Sequence, residues 1–134
     1  MARRTWWMLS VVLGALVLAA AACSGGGPAH FENARMAADE DGDRETYTYA
    51  PGDTFYLLVE VKGGSDDTSS TAAWRIVQAA GVEPDYLIGS FSLEGSGGKV
   101  FRAQAPDEGW PVGQYAVDLY LDRVLQYTLE FDVR

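Results

Sequence analysis

The chain has 134 residues, 48% hydrophobic and 22% charged, with ten Lys and Arg against nineteen Asp and Glu, hence a net charge of −9. That length holds one domain at most, which excludes a cofactor domain joined to a substrate domain. The acidity excludes nucleic acid as a partner, and a single Cys and a single His leave no internal disulfide and little scope for metal binding or general-base catalysis near neutral pH.

Arg3 and Arg4 precede an apolar run from Trp6 to Ala22, which ends in small residues directly before Cys23. A positive start, an apolar centre and a small-residue cleavage site are the three requirements of an export signal, so residues 1–22 are expected to be a signal peptide. Ala20-Ala21-Ala22-Cys23 resembles the bacterial lipobox, and the resemblance implies a diacylglyceryl group, and a palmitate-type acyl chain, on the Cys23 thiol. The alternatives are an uncleaved membrane anchor with an incidental Cys and, from the paired arginines, twin-arginine export. Ser24-Gly25-Gly26-Gly27-Pro28 cannot pack, so residues 23–32, His30 included, read as a solvated tether. Loss of residues 1–22 removes two Arg and no acid, leaving eight bases against nineteen acids and a net charge of −11. Such a surface favours a monomer that meets the membrane only through its lipid.

Residues 33–134 are expected to form an all-β domain. Candidate strands at Arg35–Ala38 and Thr46–Tyr49 come first, separated by an acidic turn at Asp41-Gly42. Phe55, Leu57, Val59 and Val61 then alternate with Tyr56, Leu58, Glu60 and Lys62, so the first set faces a core. Shorter candidates follow at Ala72–Gln78, Tyr86–Leu93 and Lys99–Ala105, with Trp74 placed to fill the core from a middle strand. The last two are the clearest, with Tyr115, Val117, Leu119 and Leu121 inward on one and Leu125, Tyr127, Leu129, Phe131 and Val133 inward on the other. One-sided strands need a second sheet to cover them, and seven or eight strands in about 100 residues is the count of an immunoglobulin-like sandwich.

The final hairpin can be constrained by parity. Tyr115, Val117 and Leu119 share a face with Leu125, Tyr127 and Leu129 only if paired numbers sum to an even value. A two-residue turn at Asp122-Arg123 gives an odd sum. The spacing therefore predicts a three-residue loop, Leu121-Asp122-Arg123, with Arg123 at positive φ.

The tail, Gly109-Trp110-Pro111-Val112-Gly113-Gln114-Tyr115 leading to Asp118-Leu119-Tyr120-Leu121-Asp122 and Phe131-Asp132-Val133, resembles small bacterial lipoproteins and surface modules with an immunoglobulin-like β-sandwich. Asp39-Glu40-Asp41-Gly42, the strand after Pro51-Gly52-Asp53, and Ala73-Trp74 extend the resemblance over most of residues 33–134. In that class the last turn usually reads Leu-Asp-Gly, where this chain has Arg123. The resemblance implies an extracytoplasmic structural or adhesive module, with no catalytic residue to carry over and no cofactor.

Candidate sites are few. Asp39, Glu40, Asp41 and Asp43 crowd carboxylates as calcium prefers, but Arg44 occupies the position where a calcium-binding loop needs Gly, so the segment reads as a solvated acidic turn. Asp66-Asp67 reads as a polar loop. Asp107 or Glu108 beside Trp110 is what a carboxylate-based glycan enzyme would use. Tyr47, Tyr49, Tyr56, Tyr86 and Tyr120 could make an aromatic binding surface. The reading as a whole is a lipid-anchored, non-enzymatic binding or structural module on the outer side of the cytoplasmic membrane or in the outer membrane. Its expected partner is another envelope protein, and the alternative is a calcium- or glycan-binding adhesive domain.

Overall fold

The computed structural model describes residues 27–134; the expected signal peptide, residues 1–22, and Cys23 lie outside the described residues. Eight strands follow one another: β1 (His30–Ala37), β2 (Thr48–Tyr49), β3 (Phe55–Lys62), β4 (Ser69–Ala79), β5 (Tyr86–Glu94), β6 (Gly97–Ala103), β7 (Gly113–Leu121) and β8 (Val124–Val133). They form two sheets, one of three strands in the order β1-β3-β6 and one of five in the order β2-β8-β7-β4-β5. Every neighbouring pair is antiparallel except β2 with β8.

The apolar faces meet as the alternation requires. Phe55, Leu57, Val59 and Val61 of β3 are buried against Ala72, Trp74 and Ile76 of β4 and Tyr115, Val117 and Leu119 of β7. Phe55 is the hub. Its ring lies 4.5 Å from Trp110 in a stacked geometry, 4.7 Å from Phe131, 4.9 Å from Tyr49, 5.5 Å from Tyr115 and 5.9 Å from Trp74. Aromatic pairs at such spacings contribute about 0.5–1.5 kcal/mol each beyond the area they bury. Tyr115 donates its hydroxyl to the Pro111 carbonyl at 2.6 Å, which fixes the loop that leads into β7.

Several expectations need correction. The domain begins at His30, not residue 33. His30 pairs with Lys62, and Phe31 is buried, so the expected tether ends before it. Asn33, at φ 56°, opens a bulge in β1 between the Glu32 and Arg35 pairings. Tyr49 is not an outward aromatic. It is buried and donates to the Ala37 carbonyl at 2.7 Å, because β2 adds to the edge of β8 and turns its second residue inward.

The final hairpin keeps the parity from Tyr127 onward but not at Leu125, and reaches it differently. Leu121 pairs with Val124, so the turn is the two-residue Asp122-Arg123, both at positive φ (47° and 72°). Leu119 pairs with Tyr127 and Tyr120 with Leu125, which leaves Gln126 as an extra residue that resets the register. A bulge inside the strand thus does what a third loop residue would have done. Positive φ at both turn residues is the geometry that matches strand twist. Asp122 is held there by exchange with Ser69, whose N–H donates to the Asp122 carboxylate at 2.9 Å and whose carbonyl accepts the Asp122 N–H at 2.8 Å.

Three strands cannot cover five. Tyr127 on β8, expected in the core, is exposed, and so are Phe91 and Leu93 on β5; Leu125, also expected in the core, is exposed because the bulge at Gln126 pairs it with outward-facing Tyr120 and turns it to the outer face. Phe91 and Leu93 pair with Ala72 and Ser70 of β4, both wholly buried, so they continue the inward face of the sheet beyond the edge of the smaller one.

Candidate functional site

A groove of about 610 Å³ opens where β5 meets the loop between β6 and β7. Its apolar wall is Ile76, Val82, Tyr86, Ile88, Trp110 and Pro111, and Glu83 and Glu108 bring its carboxylates. Each wall has a local cause. Asp85 adopts φ 58°, and its N–H donates to the Val77 carbonyl at 3.2 Å, which turns the chain tightly from β4 into β5. Ile88 is an extra residue between the Arg75–Leu87 and Trp74–Gly89 pairings, and that bulge goes with its place beside Tyr86 in the groove. On the other side Trp110 is fixed by three contacts. Its ring stacks on Phe55, its indole N–H donates to the Asp53 carbonyl at 2.8 Å, and its backbone N–H donates to the Pro51 carbonyl at 2.7 Å. Trp110 is therefore a core residue that also forms a groove wall.

Beyond the groove, β5 continues as the free edge of the five-stranded sheet. Tyr86, Leu87, Phe91 and Leu93 are between 38% and 58% exposed. An edge strand carries a row of unpaired backbone donors and acceptors, which proteins usually guard with charge, proline, bulges or brevity. The other edges are guarded. β2 is two residues long, β1 is bulged at Asn33 and carries His30, Glu32 and Arg35, and β6 carries Lys99 and Arg102. From Gly89 to Glu94, β5 has six residues in unbroken register with β4, and its only charge is the terminal Glu94.

The nearby cations are already engaged. Arg75 holds Asp118 at 2.9 Å and Asp85 at 2.7 Å, and the Lys99 amine donates to the Glu94 and Ser96 carbonyls at 2.9 and 3.2 Å. The Arg75 guanidinium is held above its ordinary pKa, first by its hydrogen bond to Asp118. Among the described residues, neither Glu83 nor Glu108 forms an ion pair.

The residues singled out from sequence fall in different places. Asp39, Asp41 and Asp43 do come together, with a ligand atom of each within 4.8 Å of the others. The Asp39 carboxylate, however, accepts the N–H groups of Asp43 at 3.2 Å and Arg44 at 3.0 Å, and the Arg44 N–H is the main reason its pKa sits below the usual range. Glu40 turns away to Arg102 at 2.8 Å. Gly42, at φ +76°, brings this loop over the outer face of the smaller sheet, where a Cβ would meet Leu58 at 2.8 Å and Arg35 at 2.6 Å. That cover explains why Leu58 is buried despite its outward position. Glu108 lines the groove but Asp107 does not. Of the five tyrosines, only Tyr86 reaches the groove. Sequence reasoning missed Val82, Glu83 and Ile88. The available signal was the uncharged run Tyr86–Leu93, whose meaning depends on the strand lying at an edge.

No family model matches the chain, and no curated protein does. Among solved structures, it is similar to an immunoglobulin-like protein from Pseudomonas aeruginosa, at 14% identity and a TM-score of 0.57, over 83% of this chain and 100% of that one. It is also similar to part of the alkylpurine DNA glycosylase AlkC from Pseudomonas fluorescens, solved bound to DNA containing an abasic site analogue, at 12% identity and a TM-score of 0.52. That match covers 79% of this chain and spans 30% of the glycosylase. Likeness at these identities speaks for architecture alone, and with the two-sheet topology it makes the domain an immunoglobulin-like antiparallel β-sandwich.

Proposed function

We propose that this protein is a lipid-anchored extracytoplasmic module, tethered through Cys23, that binds another envelope protein and catalyses nothing. The observation that carries the reading is the unguarded β5 edge beside an apolar groove, a surface whose exposure is costly unless something uses it. The polarity of the domain supports it. Gly27 accepts the Gly64 N–H beyond the Lys62 end of β3, whereas Trp110 stacks on Phe55 at the start of that strand. Seven residue steps of extended chain separate the two ends, roughly 23 Å. A chain anchored ahead of Gly27 therefore presents the groove away from the anchor.

Two measurements in cells test this. Intact mass is expected to show loss of residues 1–22 and addition of acyl mass on Cys23; an unmodified full-length chain refutes the anchor. A photo-crosslinking residue at position 91 is expected to give one discrete adduct with an envelope protein, and the same residue at exposed position 62 none. Equal labelling from both positions refutes the binding surface.

A further inference from the structure

We propose that the β5 edge and its groove take an extended polypeptide segment, apolar on its inward side and cationic where it reaches the mouth of the groove, added to the five-stranded sheet as a sixth strand. The inference rests on the reading of the domain as a binding module and names the chemistry of what it binds. A free edge offers main-chain hydrogen bonds to any extended chain, so affinity comes from the backbone and selectivity from what alternate side chains meet. Here the inward side of an added strand meets Tyr86, Ile88, Phe91 and Leu93, and then the groove against Trp110 and Pro111. That side of the incoming segment must be apolar.

Charge sets the rest. The groove contributes Glu83 and Glu108 and no cation; Arg75 on β4 is held by Asp118 and Asp85, and on β6 Lys99 is held by the Glu94 and Ser96 carbonyls and Arg102 by Glu40. Residues 27–134 carry eight Lys and Arg against nineteen Asp and Glu, a net charge of −11. An acidic segment would be repelled on approach, while a cationic one is steered in and finds two unpaired carboxylates. The same count weighs against a second copy of this chain, which would bring its own net charge of −11 to the edge.

The test uses the full chain in a nanodisc of zwitterionic lipid and a fluorescent peptide of alternating Ser and Val with Lys at both ends, with empty nanodiscs as the blank. Saturable binding is expected, at least tenfold weaker when Glu replaces Lys in the peptide and weaker in high salt. Glu83→Gln with Glu108→Gln is expected to weaken the Lys-ended peptide about tenfold. Phe91→Lys, which places a guarding charge on an exposed edge position, is expected to abolish binding while the circular dichroism spectrum stays unchanged. Equal binding of the Lys and Glu peptides overturns the proposal, and so does no binding. A dimer in sedimentation that Phe91→Lys dissolves would assign the edge to a second copy instead, and binding of chito-oligosaccharide in place of peptide would assign the groove to glycan. If the peptide fails while position 91 still crosslinks in cells, the module reading stands and only the cationic partner falls; if both fail, both fall.

Discussion

Trp74 and Trp110 offer a test in which burial and hydrogen bonding point in opposite directions. Trp74 is fully buried and its indole N–H has no hydrogen-bond partner, whereas Trp110 is slightly less buried and its N–H donates to the Asp53 carbonyl at 2.8 Å. Replacing either by Phe removes the same indole volume and keeps one six-membered ring. At Trp110 the change also deletes a hydrogen bond and orphans a carbonyl, a loss of about 1–3 kcal/mol. At Trp74 it deletes an unsatisfied donor instead, whose burial opposes folding by a similar amount. Trp110→Phe is therefore expected to be the more destabilising by about 2 kcal/mol, which is roughly 10 °C in melting temperature for a domain of this size. Guanidinium titrations followed by far-ultraviolet circular dichroism measure the difference, provided the slopes agree. The reasoning is refuted if Trp74→Phe costs as much as Trp110→Phe or more. Trp74→Ala remains a severe change in either case, at about 3–5 of the roughly 5–15 kcal/mol that hold a domain together.

Other outcomes follow from single contacts. Ser70 is buried with no partner for its hydroxyl, so Ser70→Ala is expected to raise the melting temperature, by the equivalent of about 1 kcal/mol. Arg123 sits at φ 72°, a conformation that costs a non-glycine residue about 1–2 kcal/mol, so Arg123→Gly is expected to stabilise the hairpin in urea titrations despite the greater chain entropy of Gly. Burial pushes the Tyr115 hydroxyl up to about 12 and raises Tyr49 as well. The unfolded chain therefore loses these protons first, and stability, fully present below about pH 10, is expected to fall between about pH 10 and 12. Absorbance at 295 nm with parallel circular dichroism checks that late tyrosine ionisation coincides with unfolding. Tyr115→Phe, which also deletes the bond to Pro111, is expected to cost about 1 kcal/mol at neutral pH and to flatten that alkaline loss.

Where a strand buries one face, period two made it legible, and β3 was bounded to the residue as Phe55–Lys62. What alternation could not supply was coverage. Tyr127 alternates correctly with Thr128, yet it stays exposed because the opposing sheet stops at three strands. Strand order is a property of pairing between distant segments, and no local window contains it. The same gap hid the site, since the uncharged Tyr86–Leu93 run reads alike as a central strand or an unguarded edge. Tyr49 was missed because β2 has only two residues, too few for a period. Parity in the last hairpin was legible, but parity alone does not choose between a longer turn and a bulge at Gln126.

The entry of the chain at the Lys62 end of β3, opposite the groove, has a mechanical consequence. A pull between Gly27 and a partner held on β5 runs along the strand axes, because β1 leaves the domain lengthwise beside β3. The hydrogen bonds of that antiparallel ladder lie across the strands, so they meet the load together as a sheared joint instead of opening one at a time like a zip. The first strand is thus attached in the orientation that best resists being stripped from the sandwich by its own leash.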